Sequence, residues 1–310
     1  MRIVFLGTPE FAVPSLKRVL EDGYTVAAVV TQPDRPVGRK QVLTPSPVKA
    51  FAAEKQIPVF QYEKIRKEGV GDLRALAPDL MITCAFGQIL SQEILDIPKF
   101  GVVNVHASLL PKYRGAAPIQ WAVINGEKVS GVTTMQMDEG LDTGDMLEKV
   151  EITLDKKETG GSLFDKLSAK GAALCVHTLA ELEKGTITPQ KQGESTTEYA
   201  KMLNKKSGEI DWTKTAVEIE RLIRGLNPWP SAYTRIDDKN LKIWRAKVIS
   251  HEVKAAPGCI LKVTKDELEV QTGNGVLALL EVQLEGKKRM TTDAFLRGYQ
   301  VTEGSFLKRC

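Results

Sequence analysis

Short apolar runs that alternate with helix-like stretches are the feature that most restricts how the first half of this chain can fold. The runs are apolar on both faces, as in parallel strands that are covered by helices on either side of a sheet. Sheets of this kind bind ligands beyond the carboxyl ends of their strands. The first half is therefore predicted to be an α/β domain with a doubly wound, mostly parallel sheet. Its strand-like runs lie at 2–7, 24–32, 79–86, 101–108, 131–138 and 145–153, and a long helix is predicted at about 160–184.

The second part of the chain has a different pattern. Residues 190–207 are polar and predict a linker, and short β-runs separated by turns follow between 232 and 284. Short strands at this spacing predict a smaller, OB-like β-barrel. We therefore expect a sheet domain over 1–189, a linker over 190–207 and a barrel domain over 208–310.

Basic residues are concentrated near the C-terminus. Residues 201–310 hold 20 Lys and Arg against 14 Asp and Glu, whereas the whole chain holds 43 against 39. A basic region on a nearly neutral body is a mild indication of a polyanionic partner such as nucleic acid. A basic face that is simply solvated explains the charge equally well, so composition leaves both interpretations open.

Several function classes are disfavoured by motifs that the chain lacks. The first strand ends at Gly7 without the further glycines of a dinucleotide-binding turn, and there is no P-loop motif. The four cysteines are scattered and form no CxxC pair, so they predict neither a zinc cluster nor a disulfide framework, and we expect no metal. No apolar run approaches the roughly 20 residues of a membrane-spanning helix, and no signal peptide is evident. We expect a cytoplasmic protein with no membrane partner.

Polar residues stand at the end of the fourth strand, where such a fold places its ligand crevice. Asn104 and His106 are two residues apart and therefore point to the same side of the strand. An amide NH2 can stabilise a developing oxyanion while an imidazole beside it moves a proton. The alternative for Asn104 is a purely local role in satisfying loop backbone.

Two further stretches carry candidate residues. The turn at 137–146 holds four carboxylates, and one of them would orient the ring of His106 if it faced that ring; a turn between strands otherwise needs no function. Residues 31–47 form a long, Pro-rich, basic loop after the second strand, whose side chains would meet phosphates. A loop that is only solvated is the alternative there.

Four motifs together resemble the methionyl-tRNA formyltransferase family of 10-formyltetrahydrofolate-dependent enzymes, over essentially the whole chain. The first two motifs below are typical of 10-formyltetrahydrofolate transferases as a group, and the last two are typical of members that act on tRNA. They are NVHASLLPKYRGAAPIQ (104–120), MQMDEGLDTGDML (135–147), TQPDRPVGR (31–39) and GLNPWPSAY (225–233).

This resemblance implies an activity and the partners that go with it. The enzyme would transfer the formyl group of 10-formyltetrahydrofolate to the α-amino group of methionyl-initiator tRNA, for translation initiation. It would act without a metal. A monomer is our expectation for the oligomeric state, which the sequence itself does not reveal. Its catalytic domain would be Rossmann-like, and the barrel would bind tRNA.

The same resemblance assigns site residues. Arg39 would be the loop residue that engages the acceptor end of the tRNA. The catalytic set would be Asn104, His106 and Asp142, and the folate site would be lined by Ser108, Leu109, Leu110 and Pro111.

Two rival interpretations stay open at this stage. A sibling folate enzyme would share the first two motifs: a small-molecule or nucleotide-sugar formyltransferase, or the hydrolase domain of a formyltetrahydrofolate dehydrogenase. The basic loop argues against the transferases, and the missing downstream dehydrogenase domain argues against the hydrolase. The other alternative is a non-catalytic tRNA-binding module with a decayed sheet domain, and the intact Asn104, His106 and Asp142 argue against it.

Overall fold

The computed structural model describes residues 1–38 and 41–308. The chain forms two compact units whose sequences interleave. The sequence predicts instead that each domain is one continuous segment, with boundaries at 189 and 207, and this division stays a prediction. The first unit contains residues 1–118, 129–153 and 164–200, and the second contains residues 119–128, 154–163 and the chain from Lys201 onward.

The first unit is built on a seven-stranded sheet, with one additional hairpin. The strands are β1 (Arg2–Gly7), β2 (Thr25–Thr31), β3 (Arg35–Val37), β4 (Val42–Thr44), β5 (Val59–Gln61), β6 (Leu80–Cys84), β7 (Val102–His106), β8 (Val129–Gln136) and β9 (Met146–Thr153). The sheet order is β5-β2-β1-β6-β7-β8-β9, and β3 pairs with β4 as a separate hairpin. Along this sheet order, each neighbouring pair from β5 through β2, β1 and β6 to β7 is parallel. Strand β8 pairs antiparallel with β7, and β9 pairs antiparallel with β8. The predicted α/β class with a mostly parallel sheet is confirmed.

Burial explains which strands are central. Every residue of β6 is buried, as expected for an interior parallel strand that is covered on both faces. The edge strand β9 instead alternates between half-buried and exposed residues after its first two positions. The helices are α1 (Val13–Glu21), α2 (Pro47–Glu54), α3 (Ile65–Glu68), α4 (Val70–Ala75), α5 (Gln92–Leu95), α6 (Pro118–Ile124), α7 (Gly160–Lys184), α8 (Ala216–Gly225) and α9 (Thr292–Gly298).

The antiparallel pairing of β8 determines how the acidic turn approaches the end of β7. Thr133 of β8 pairs with His106, and Gln136 pairs with Val103. Strand β8 therefore ends beside the start of β7 rather than beside its end. The turn after β8 has to fold back over the sheet to approach His106.

The second unit is an antiparallel sheet that closes on itself. Its strands are β10 (Ala232–Ile236), β11 (Lys239–Ser250), β12 (Ile260–Val263), β13 (Leu268–Gln271), β14 (Val276–Leu284) and β15 (Met290–Thr291). Their order is β10-β11-β14-β13-β12, with β15 on β14. The segment 304–308 joins the two ends, because Lys308 pairs with Arg235 of β10 and Gly304 N donates to Ile260 O of β12. The predicted OB-like barrel is confirmed.

The amphipathic helix α8 packs into the core of this second unit. It begins after Thr215, whose side chain and that of Glu218 form a reciprocal capping box. Ile219 and Ile223, four residues apart, are buried in the barrel core with Trp212. Within the described part of the chain, no helix is both long enough and apolar enough to cross a bilayer.

Candidate active site

Asn104 is held in place by a neighbouring strand and keeps its donor group available. Thr83 of β6 pairs with Asn104 of β7, and the Thr83 hydroxyl donates to Asn104 Oδ1 over 2.9 Å. This bond fixes the orientation of the amide, since the oxygen is the acceptor. Asn104 Nδ2 donates no hydrogen bond to residues 1–38 or 41–308. The half-buried amide therefore presents two unused N–H donors.

His106 is buried, and each ring nitrogen has a different neighbour. Nε2 lies 3.0 Å from the carbonyl oxygen of Tyr113, and Nδ1 lies 3.7 Å from Asp142 Oδ1. A carbonyl can only accept, so the hydrogen bond to Tyr113 assigns a proton to Nε2. Nδ1 is then the nitrogen that is left to gain or lose a proton, and it faces the carboxylate.

Asp142 is brought to His106 by a turn with a left-handed residue. Asp142 itself has φ of 56°, and its Oδ2 accepts from Gly115 N over 2.8 Å. A Cβ on Gly144 would overlap the backbone of Gln136, so a glycine is required where the turn returns to the sheet. The structure thus places Asp142, alone among the four acids of the turn, beside the histidine. Asp138 instead closes the turn, because it accepts from Gly140 N and from the Thr143 hydroxyl.

The Ser108–Pro111 segment lies on the same sheet and is held by β8 and β9. Thr133 is fully buried, and its hydroxyl donates to Ser108 O over 2.7 Å while it accepts from Leu110 N over 3.1 Å. Lys149 pairs with Thr133 across the strands, and its Nζ donates to Leu110 O over 2.6 Å. Directly opposite residues share a face, so Lys149, Thr133 and His106 form one row across the sheet.

Side-chain packing fixes this segment as well as hydrogen bonding. Leu109 packs over Gly131 so closely that a Cβ there would meet its side chain at 2.5 Å. Leu110 is buried against Met135 and Met146. Ser108 is also buried, and its hydroxyl donates to Lys112 O, which keeps the turn compact. The segment therefore has one well-determined conformation.

The stretch predicted as a linker contributes to the site. Residues 190–200, here called the strap, contact both the acidic turn and the chain after His106. Gln192 Nε2 donates to Asp142 O and Gly144 O, and the Thr197 hydroxyl accepts from Tyr113 N. The sequence does not predict this role, because the strap is polar and has no hydrophobic periodicity that would distinguish a packed segment from a solvated one.

Two contacts at the end of the strap also constrain the site. Ala200 pairs with Gly115, where φ is 124° and a Cβ would meet Ala200 O at 2.7 Å. The pKa of Tyr199 is raised, chiefly by burial and further by the charge of the nearby Asp142. Gly115, whose N–H donates to Asp142, thus also pairs with the strap through Ala200.

The basic loop after β2 is attached through its base. Lys49 Nζ donates to Asp34 Oδ2 over 2.7 Å and to Gln61 Oε1 over 2.8 Å, which joins both ends of the loop to edge strand β5. Hydrogen bonds from Lys49 and Gln61 hold the pKa of Asp34 below its usual value. Beyond this base, Val42 and Leu43 are exposed. Arg39, the predicted tRNA-binding residue, lies outside the described residues.

No group of three or more His, Cys, Asp or Glu side chains in the described ranges is arranged to hold a metal ion. The side chains that the structure brings together at this site are an amide donor, an imidazole and a carboxylate.

Comparison with known proteins was informative over nearly the whole chain. Residues 1–179 match the family model for formyl transferase, and residues 202–300 match the model for the formyl transferase C-terminal domain. A methionyl-tRNA formyltransferase of Agathobacter rectalis is 58% identical over 309 residues, covering 99% of each chain. A methionyl-tRNA formyltransferase of Lachnospira eligens is 56% identical over 315 residues, again covering 99% of each chain.

A solved structure gives the same fold at lower identity. It is a sugar 3-N-formyl transferase, determined in the presence of dTDP and 5-N-formyl-THF, with a TM-score of 0.66. The match covers 93% of this chain and 99% of that one, at 21% identity, and so bears on the fold alone.

Proposed function

Because this chain belongs to the formyl transferase family and transfers a formyl group from a folate donor to methionyl-tRNA, we propose that Asn104, His106 and Asp142 carry the reaction. The observation that supports this proposal is the convergence of three groups. The unused amide donors of Asn104 lie two residues from His106 on one strand face, and Asp142 faces the free ring nitrogen of His106.

Asn104 is proposed to stabilise negative charge. When the methionyl amine attacks the formyl carbon, charge develops on the formyl oxygen. Asn104 Nδ2 donates to that oxygen, and the Thr83 hydroxyl keeps the amide turned the right way. A donor that is already oriented does not have to reorganise during the reaction, which is why one such group contributes about 10²–10³-fold to rate.

His106 and Asp142 are proposed to move the proton. With Nε2 bonded to the Tyr113 carbonyl, Nδ1 takes up the proton that the attacking amine must lose. The same proton then passes to N10 of the folate as the bond between the formyl carbon and N10 breaks, so that tetrahydrofolate leaves as a neutral amine. Asp142 Oδ1, 3.7 Å away, stabilises the imidazolium that results. Gly115 N holds the other carboxylate oxygen and so fixes the direction of the group.

The donor is proposed to be 10-formyltetrahydrofolate, which supplies a formyl group already activated on an arylamine nitrogen. Ser108, Leu109, Leu110 and Pro111 would line its site. Two observations support this assignment of the folate site. Asn104 near the carboxyl end of β7 has unused donors, and hydrogen bonds hold the conformation of the Ser108–Pro111 segment. Since no metal ligand group is needed for such an activated donor, the proposal includes no metal step.

The acceptor is proposed to be the initiator form of methionyl-tRNA, as a substrate in the cytoplasm. Arg39 and the basic barrel would contact its phosphates, which agrees with the excess of 20 Lys and Arg over 14 Asp and Glu in residues 201–310. The monomeric state stays a prediction.

Asn104→Asp tests the proposal. The variant keeps an oxygen that accepts from Thr83 but replaces the two donors with an acceptor. We expect kcat for formylation of methionyl-tRNA to fall by about 10²–10³-fold, with an unchanged melting temperature. Turnover within a few-fold of wild type would remove Asn104 from the reaction.

A further inference from the structure

The side chain of Gln192 joins the strap to two other parts of the active site, the acidic turn and the chain after His106. Its Nε2 donates to Asp142 O over 2.9 Å and to Gly144 O over 2.7 Å, and its Oε1 accepts from Arg114 Nε over 2.9 Å. The orientation of the amide is unambiguous, because a flipped amide would place its oxygen against two carbonyl oxygens. Neither family model covers this residue, since they match 1–179 and 202–300.

These contacts act on a residue in an uncommon backbone conformation. Asp142 adopts φ of 56°, a left-handed conformation that is uncommon for residues other than glycine and that contacts with the surroundings help to hold. The Gln192 amide binds the carbonyls on both sides of Thr143 and therefore spans the turn. Loss of those two donors would free the turn to relax.

The strap also holds the other end of the Asp142 carboxylate. Gly115 N donates to Asp142 Oδ2, and Gly115 pairs with Ala200 of the strap. The strap thus supports Asp142 through its backbone and through its hydrogen-bond partner. Together these supports direct Oδ1 toward His106 Nδ1.

We propose that Gln192 is a positioning residue for Asp142: its amide holds the Asp142–Gly144 turn so that the carboxylate faces His106. The proposal rests on the proposed role of Asp142 in proton transfer. It assigns Gln192 an effect on kcat and not on binding of the formyl donor. The Ser108–Leu110 backbone is held by Thr133 and Lys149, independently of Gln192.

Two substitutions at Gln192 separate its donor role from its contact with Arg114. Gln192→Met keeps the size of the side chain and removes all three hydrogen bonds. Gln192→Glu keeps an oxygen for Arg114 Nε but removes both donors to the turn. The matched control is Gln190→Met, because the Gln190 side chain is exposed and makes no hydrogen bond in the described part of the chain.

The experiment measures kcat, the KM for 10-formyltetrahydrofolate and the folded fraction of each full-length variant. We expect both Gln192 variants to lose roughly 10-fold in kcat with the donor KM within about two-fold of wild type, as for a displaced catalytic group. Gln190→Met should match wild type. Wild-type kcat in Gln192→Glu would limit Gln192 to its contact with Arg114 and overturn the proposal.

A double variant tests whether Gln192 acts through Asp142. If it does, adding Gln192→Met to Asp142→Asn costs no further kcat, because the oriented carboxylate is already gone. Independent losses that multiply would overturn the proposal. If Asp142→Asn alone turned over like wild type, the proposed role of Asp142 would fail first. If Asp142→Asn were impaired and the Gln192 variants were not, only the present proposal would fail.

Discussion

Two segments leave the carboxyl ends of parallel strands in the first unit, and they are held in opposite ways. The segment after β7 makes hydrogen bonds with Thr133 and Lys149 of the sheet and, further along the chain, with the strap. The loop after β2 is attached at its base by the Asp34–Lys49–Gln61 network. Beyond that base, its described hydrogen bonds lie within the hairpin, apart from an exposed pair of Arg35 with Glu63.

The difference matches what each segment is proposed to bind. A small donor that must meet Asn104 and His106 within a fraction of an ångström benefits from a rigid site, since reacting groups are already in place. A large, flexible polyanion is better met by an exposed basic loop that adjusts on contact. The contrast predicts that substitutions after β7 change chemistry and donor binding, and that substitutions in the loop change only the response to tRNA.

The largest expected effect is on the rigid side, at Asp142. Asp142→Asn retains an oxygen that accepts from Gly115 N but removes the charge that stabilises a protonated His106. We expect kcat to fall by at least ~10²-fold, which is the scale of an oriented acid–base group. Steady-state assays with saturating donor and methionyl-tRNA check this, with circular dichroism to verify folding. Near-wild-type turnover would show that rigidity around Asp142 serves stability alone.

The next effect concerns the support under the donor segment. Thr133→Val replaces a buried hydroxyl with a methyl group of similar size, so it removes two hydrogen bonds without opening a cavity. At about 1 kcal/mol for each bond, the KM for 10-formyltetrahydrofolate should rise by roughly 30-fold. Thr133→Ser should restore most of the loss, because serine retains the hydroxyl.

The neighbouring threonine is a matched control for that measurement. Thr134 is also fully buried, but its hydroxyl pairs with Thr178 on the other face of the sheet. Thr134→Val should therefore lower stability by the loss of one buried hydrogen bond, against two in Thr133→Val, and should leave the donor KM unchanged. Equal changes of KM in both variants would mean that the segment responds to general loosening and not to its own support.

Much of the rigid side could be predicted from the sequence because it follows from simple periodicity. Asn104 and His106 lie on the same face of a strand because they are two residues apart. The apolar runs that predict the parallel sheet place both residues near the carboxyl end of that strand. The resemblance of motifs predicts Asp142 as the catalytic residue among the four acids of the turn. The turn geometry that singles it out, a left-handed residue between close-packed glycines, carries no periodic signal.

The supports of the site could not be predicted for a physical reason. Thr133 is a polar residue in a strand, and only the antiparallel register of β8 places it opposite His106. Gln192 lies in a polar stretch, and the hydrogen-bond partners of its own side chain are all distant in sequence. The hairpin β3–β4 and the four-residue helix α5 are too short for any hydrophobic period to appear.

The smallest expected effect is on the loop side, at Arg39. A guanidinium that binds a phosphate or a base edge contributes about 1.5 kcal/mol, so Arg39→Ala should lower kcat/KM for methionyl-tRNA by roughly 10-fold. The donor KM should not change. Arg39→Lys should recover activity poorly if the contact is bidentate and well if only charge matters, because lysine lacks the planar fork.

Arg35→Ala is the matched control in the same loop, because the Arg35 guanidinium already pairs with Glu63 and its charge is partly neutralised.

A phosphate contact by Arg39 also predicts that the salt dependence of tRNA binding, measured as the slope of log K against log salt, becomes shallower by about 1 in Arg39→Ala. Val42 and Leu43 are exposed residues of the hairpin, and their amides should gain protection from hydrogen exchange when tRNA binds. If Arg39→Ala formylated subsaturating methionyl-tRNA at the wild-type rate and these amides gained no protection, the loop would be solvated surface. The contrast between the two segments would then reflect packing alone.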